Sequence, residues 1–154
     1  MLIASIADTQ HTTKSTSTDP LSRVLKEQAV SEFGDLQSLR AVVTGSSSGI
    51  GRAIAVELAA AGADVVVHCH QSIQPAEQVA AEIRSTGRRS AVVQSDVGNA
   101  EQLDQLVDAA WECFGGVDVW INNAGVDLLT GDKAKLPYAD KLETLLDIDV
   151  RSAV

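Results

Sequence analysis

Ala41-Val42-Val43-Thr44-Gly45-Ser46-Ser47-Ser48-Gly49-Ile50-Gly51 joins a short apolar run to a helical pattern. The run Ala41-Val42-Val43 has the continuous apolar character of a strand covered on both faces. Beyond the glycines, Ile50, Ala53, Ile54, Leu58 and Ala61 recur at helical spacing until Gly62 stops the helix. Glycines at such a strand-to-helix turn permit a tight bend and close approach of the backbone to a ligand. The first N–H groups of the helix and its dipole then favour an anion such as a pyrophosphate. Ser47 and Ser48 add hydroxyl donors. A glycine-rich turn also serves purely structural ends, and no Gly-Lys-Ser/Thr follows, so a P-loop is excluded.

The same alternation continues outward. Val65-Val66-Val67 is a second apolar run. Pro75 opens a helix with Ala76, Val79, Ala80 and Ile83 on its buried face, and Gly87 ends it. Ala91-Val92-Val93 is the third run. Asn99 caps a further helix, with Gln102 placed as in a capping box, and that helix carries Leu103, Leu106, Val107, Ala110 and Phe114. Val117 and Val119-Trp120-Ile121 form the fourth run, and Leu142, Leu145, Leu146 and Val150 begin another helix. Strand, helix, strand, helix is the sequence form of an α/β domain with a parallel sheet. Right-handed crossovers make a Rossmann-like doubly wound sheet the leading topology, here four strands and the start of a fifth helix. Residues 36–154 are assigned to it. Residues 8–19 contain no large apolar side chain, so residues 1–35 are expected to form a flexible extension. Asp19-Pro20 would start a short helix there, with Leu21, Val24, Leu25 and Gln28 on one face.

Composition narrows the function. The 154 residues carry a formal net charge of −9, concentrated in the acidic helices after residue 96, and no basic face suited to nucleic acid is visible. No run of apolar residues is long enough to span a membrane. Two separated cysteines, Cys69 and Cys113, fit a reducing cytoplasm and supply neither a disulfide scaffold nor a zinc site. No metal site is expected, because His68 and His70 have no third ligand spaced with them.

The spacing Gly-x-x-x-Gly-x-Gly with Thr44 before it resembles the short-chain dehydrogenase/reductase family. Asp96-Val97 after the third strand, Asn122-Asn123-Ala124-Gly125 after the fourth, and Leu36-Gln37-Ser38-Leu39-Arg40-Ala41-Val42-Val43 at the entry to the first are similar to that family in the same order. The branch of ketoacyl-carrier-protein reductases and glucose dehydrogenases is the nearest in pattern. The resemblance implies an NAD(P)-dependent oxidoreductase that moves a hydride between NAD(P)H and a carbonyl or alcohol of a small-molecule substrate. Gly45, Ser47, Ser48, Gly49, Ile50 and Gly51 would hold the pyrophosphate and neighbouring ribose. Asp96 and Val97 would meet the adenine. Asn122 would steady the sheet, while Asn123, Ala124 and Gly125 would line the second ribose. It also implies a homo-oligomer for the complete enzyme.

Cofactor choice is read at the end of the second strand. A carboxylate there would bond the ribose hydroxyls and repel a 2′-phosphate. His68-Cys69-His70-Gln71-Ser72 stands there instead, so His68 and His70 become candidate phosphate contacts and NADP is favoured over NAD. Ser48, where many NADP users of the family carry Arg or Lys, argues the other way.

Two departures matter. The family's acid/base signature is Tyr-x-x-x-Lys after a fifth strand. The single tyrosine here, Tyr138, has Leu142 four residues on and Lys141 three on, so no catalytic residue of that kind is assigned. Asp149 stands where the family commonly has a helix Asn, and an ionised Asp accepts hydrogen bonds without donating any. A non-catalytic fragment, or a nucleotide-binding module without turnover, is therefore the alternative reading. With four strands, Val117 to Ile121 would form an apolar edge, and this polypeptide alone is expected to be marginally stable or aggregation-prone.

Overall fold

In the computed structural model, residues 35–153 are described; the expected helix after Pro20 lies outside them. The valine runs become four parallel strands: β1 (Arg40–Val43), β2 (Asp64–Cys69), β3 (Ser90–Gln94) and β4 (Val119–Ile121). Their order across the sheet is β3-β2-β1-β4. Helices α1 (Gly49–Ala60), α2 (Ile73–Ser85) and α3 (Ala100–Phe114) provide the crossovers. A final helix, α4 (Tyr138–Leu145), loosens into a wider turn over Leu146–Val150.

Alternation along each strand sorts the core into two layers. Ala41, Val43, Val65 and Val67 point to one face, where they meet Ala55 and Ala59 of α1 and Ala76, Val79, Ala80 and Ile83 of α2. Val42 and Val66 point to the other, against Ala110 of α3 with Phe114 and Trp120 beside it. β2 is buried along its whole length, which explains why its sequence is apolar without alternation. The alanines on α1 and α2 let both helices approach the sheet closely, so a sequence with 3% aromatics still fills its interior.

Two local expectations change. α2 begins at Ile73, two residues before Pro75, which sits within the first turn where its missing N–H leaves no helical bond unmade. Asn99 does cap α3, its Oδ1 accepting the Gln102 N–H at 3.1 Å. The Gln102 side chain, however, accepts the Asp96 N–H at 3.0 Å rather than closing a capping box. No described helix is long and apolar enough to cross a membrane.

Ionic ties gather at the end of the sheet where the strands begin. Arg40 forks onto Asp118, with bonds of 2.7 and 2.8 Å, and donates to the Gly115 carbonyl at 2.9 Å. The Arg40 bonds hold the Asp118 carboxyl down at about 2. Asp64 is buried at the start of β2 and accepts from Arg88 at 2.9 Å, from the Arg89 N–H at 2.9 Å and from Arg89 Nε at 2.7 Å. Burial pushes its pKa up, but the Arg89 hydrogen bonds and the two guanidinium charges outweigh burial and leave it below 3.8. This cluster therefore adds stability that is present above pH 3.8 and is lost as pH falls through the lower native value. Asp64→Ala is expected to lower the unfolding free energy by about 3 kcal/mol in urea denaturation at neutral pH. A loss below about 1 kcal/mol would mean that the two arginines do not depend on this carboxylate.

Candidate functional site

The opposite end of the sheet carries the glycine turn. Thr44 continues β1 by donating its N–H to the Ile121 carbonyl of β4 at 3.0 Å. Its hydroxyl oxygen accepts the N–H groups of both Asn123 and Ala124 at 2.9 Å. The Asn123 carboxamide answers by donating to the Thr44 carbonyl at 2.9 Å and the Gly45 carbonyl at 3.3 Å. The turn after β1 and the loop after β4 are thus clasped side by side.

The glycines fit this clasp. Gly45 has φ +64°, and a Cβ there would lie 2.9 Å from the Ala124 Cα. A Cβ on Gly51 would strike the Asn123 Nδ2 and sit 2.6 Å from the Gly45 carbonyl oxygen. Gly49 differs: its φ is +57°, yet nothing lies within 4 Å of its missing Cβ. That open space borders the start of α1, where the Ser48 side chain makes no cap bond and the first turn holds no acidic residue. A helix N-terminus left in this state retains donors for an anion.

A cleft of about 280 Å³ lies beside the turn. It is lined by Gly45, His68, His70, Asp96, Val97, Asn123, Ala124 and Gly125, together with Val126, Lys133 and Ile148. Asp96 is half-buried: its Oδ1 accepts the Gly98 N–H at 2.9 Å, and its Oδ2 lies 3.7 Å from His70 Nε2. Ser47, Ser48, Gly49, Ile50 and Gly51 stand beside the cleft rather than in its wall, and Ile50 is 76% exposed. Among the described residues no group of three His, Cys, Asp or Glu could hold a metal ion.

The sequence model of the short chain dehydrogenases matches residues 40–154. The chain belongs to the short-chain dehydrogenase family. It is 40% identical over 118 residues to 3beta-hydroxysteroid dehydrogenase 1 of Eggerthella lenta, covering 77% of this chain and 44% of that protein. It is 46% identical over 86 residues to the 3-oxoacyl-[acyl-carrier-protein] reductase of Synechocystis, covering 56% of this chain and 35% of that protein. The crystal structure of a short chain dehydrogenase from Burkholderia cenocepacia, in complex with NADP, superposes with a TM-score of 0.70 at 40% identity, over 77% of this chain and 48% of that one. The chain thus spans less than half the length of these short-chain dehydrogenase relatives.

Two of the expected roles are corrected by the geometry. His68 does not reach out toward a phosphate. Its ring is buried, with Nδ1 2.9 Å from the Gly45 N and Nε2 3.1 Å from both oxygens of Ser95. Burial pushes its pKa below 6.5 and keeps the ring neutral. His70, beyond the end of β2, is exposed and faces the cleft. Likewise the Asn that ties the sheet is Asn123, not Asn122. Asn122 is exposed and accepts from Trp120 Nε1 at 2.9 Å, while its amide reaches the Ala153 carbonyl at 3.3 Å.

Asp149 is exposed, with its Oδ1 3.6 Å from the position a Cβ on Gly125 would take. Tyr138 is 79% exposed and does not line the cleft. The sequence offered Thr44 only as part of the motif and gave no role to Ser46 and Ser95, which are buried like it, or to Lys133. A hydroxyl residue immediately before Gly45, and another before Asp96, was the available signal.

Thr44→Ala strips the acceptor from two backbone N–H groups and is expected to cost about 2 kcal/mol. Thr44→Ser keeps the oxygen and is expected to restore most of that loss. Equal urea midpoints for wild type and Thr44→Ala would contradict the clasp.

Proposed function

We propose that the protein is an NAD(P)-dependent oxidoreductase of its family, and that these residues supply the dinucleotide-binding half. The observation that carries the reading is the open space over Gly49 at an uncapped helix start, set beside a cleft with a half-buried carboxylate. These residues fit a dinucleotide: Ser47, Ser48, Gly49, Ile50 and Gly51 hold the pyrophosphate, Asp96 and Val97 the adenine, and Ala124 and Gly125 the second ribose. When bound, the nicotinamide supplies hydride chemistry toward a carbonyl or alcohol. This chain's residues bind and orient the cofactor and exclude water from the cleft.

NADP is the preferred cofactor in this reading. β2 ends at Cys69, no acidic residue follows in His70-Gln71-Ser72, and His70 faces the cleft. The NADP bound in the Burkholderia relative supports the same choice. The cleft is also lined by Lys133, a cation suited to a phosphate. The substrate is a small molecule, and no nucleic-acid partner is proposed for a chain of charge −9. A homo-oligomeric complete enzyme is supported by exposed apolar side chains on α3 and α4, among them Val107, Trp111 and Leu142. The two free cysteines support a cytoplasmic location.

The alternative is a nucleotide-binding module without turnover. Both readings require dinucleotide binding, so binding is tested first. Calorimetry is expected to give tighter binding of NADP+ than of NAD+, with His70→Ala narrowing the difference. Gly49→Ala is expected to cost about 1 kcal/mol of stability, from its positive φ alone, and to abolish most of the binding. Tighter binding of NAD+ would overturn the cofactor choice. Binding of neither by a folded chain would overturn the function.

A further inference from the structure

The parallel register pairs Val43 with Val67 and so brings Thr44-Gly45 alongside His68. Three bonds then join the glycine turn to β2. The Ser46 N–H donates to the His68 carbonyl at 2.9 Å, and the His68 N–H donates to the Ser46 hydroxyl at 3.1 Å. The third bond is the only one that depends on protonation: the Gly45 N–H donates to His68 Nδ1 at 2.9 Å. An acceptor nitrogen carries no proton, so the imidazole proton sits on Nε2, which faces the Ser95 carbonyl and hydroxyl oxygens at 3.1 Å. Both nitrogens of the buried ring are thereby committed, and the Gly45 N–H points into the protein rather than toward a ligand.

We propose that neutral His68 is the positioning residue of the glycine turn: its unprotonated Nδ1 holds the Gly45 peptide in the left-handed conformation that shapes the cleft, and protonation of the ring releases the turn and weakens dinucleotide binding. An imidazolium would set an N–H against the Gly45 N–H, replacing a hydrogen bond with a donor facing a donor.

The charged surroundings are few. The segment just beyond β2 brings His70, the segment after β3 brings Asp96, and the loop after β4 brings Lys133; the glycine turn brings none. Burial lowers the ring's proton affinity and His70 adds to that, whereas the Ser95 bond and Asp96 work against it. Burial prevails. The native state therefore binds fewer protons here than the unfolded chain, and stability falls as pH drops below 6.5 toward the lower native value.

The binding readout rests on the proposed dinucleotide function; the spectroscopic readout does not. His70 lines the same cleft, so wild type is compared with His68→Asn, which leaves His70 in place. The Asn Oδ1 stands two bonds from Cβ, as Nδ1 does, and accepts at every pH. Between about pH 8 and about pH 5 wild type is expected to lose about tenfold more NADP+ affinity than His68→Asn, the scale of one lost hydrogen bond. Parallel pH profiles would overturn the proposal. Nitrogen NMR of the ¹⁵N-histidine-labelled wild-type chain at neutral pH is expected to show Nδ1 bare and Nε2 protonated. A protonated Nδ1 overturns the proposal even if His68→Asn does not fold. A bare Nδ1 in a chain that binds no NADP+ would sink the dinucleotide reading while leaving His68 as the brace of the turn.

Discussion

One side-chain oxygen holds the functional end of this molecule together. The Thr44 hydroxyl accepts two consecutive N–H groups from the loop after β4, and Asn123 returns two donors to the backbone of the glycine turn. Four hydrogen bonds crossing between two loops fix the positions of Gly45, Ala124 and Gly125 relative to one another. That spacing leaves no room for a Cβ on Gly45 or Gly51, while keeping the space over Gly49 empty. Loops at the ends of strands are ordinarily the most mobile part of such a sheet, and a site built on them needs bracing of this kind.

The sheet divides its work between its two ends. Where the strands begin, Asp64 with Arg88 and Arg89, and Arg40 with Asp118, spend charge on holding strands together. Where the strands finish, polar groups are neutral or face the cleft, and the buried ones are hydroxyls and an imidazole rather than ions. The helix start supplies oriented donors for an anionic ligand there, and Lys133 lines the adjoining cleft. The carboxylate at the cleft, Asp96, has one oxygen satisfied by the Gly98 N–H.

Most of the fold was legible because burial on both faces writes itself into sequence as unbroken valine. β1, β2 and β3 fall on their valine runs, and the order β3-β2-β1-β4 is one of the doubly wound orders that right-handed crossovers allow. The start of α2 was not legible: Ser72 makes no side-chain cap bond, so nothing in the sequence marks a helix start two residues ahead of Pro75. His68 and His70 stand two residues apart and both border the cleft. What separates them is depth: His68 lies beneath the glycine turn, while His70 has passed beyond its cover. Depth belongs to the packing of a neighbouring loop and has no local pattern. Asn122 and Asn123 pose the converse problem. They are adjacent and point to opposite sides, and a β4 of three residues is too short for alternation to decide which one turns inward.

The central claim is that the clasped turn and its cleft form one dinucleotide site. The most direct test is to follow the backbone amide resonances of the chain as NADP+ is added. The account predicts saturable shifts confined to Ser47–Gly51, His70, Asp96-Val97 and Ala124-Gly125, with the buried strand starts unmoved. Shifts that do not saturate, or that gather on α3 and α4 away from the glycine turn, would contradict it.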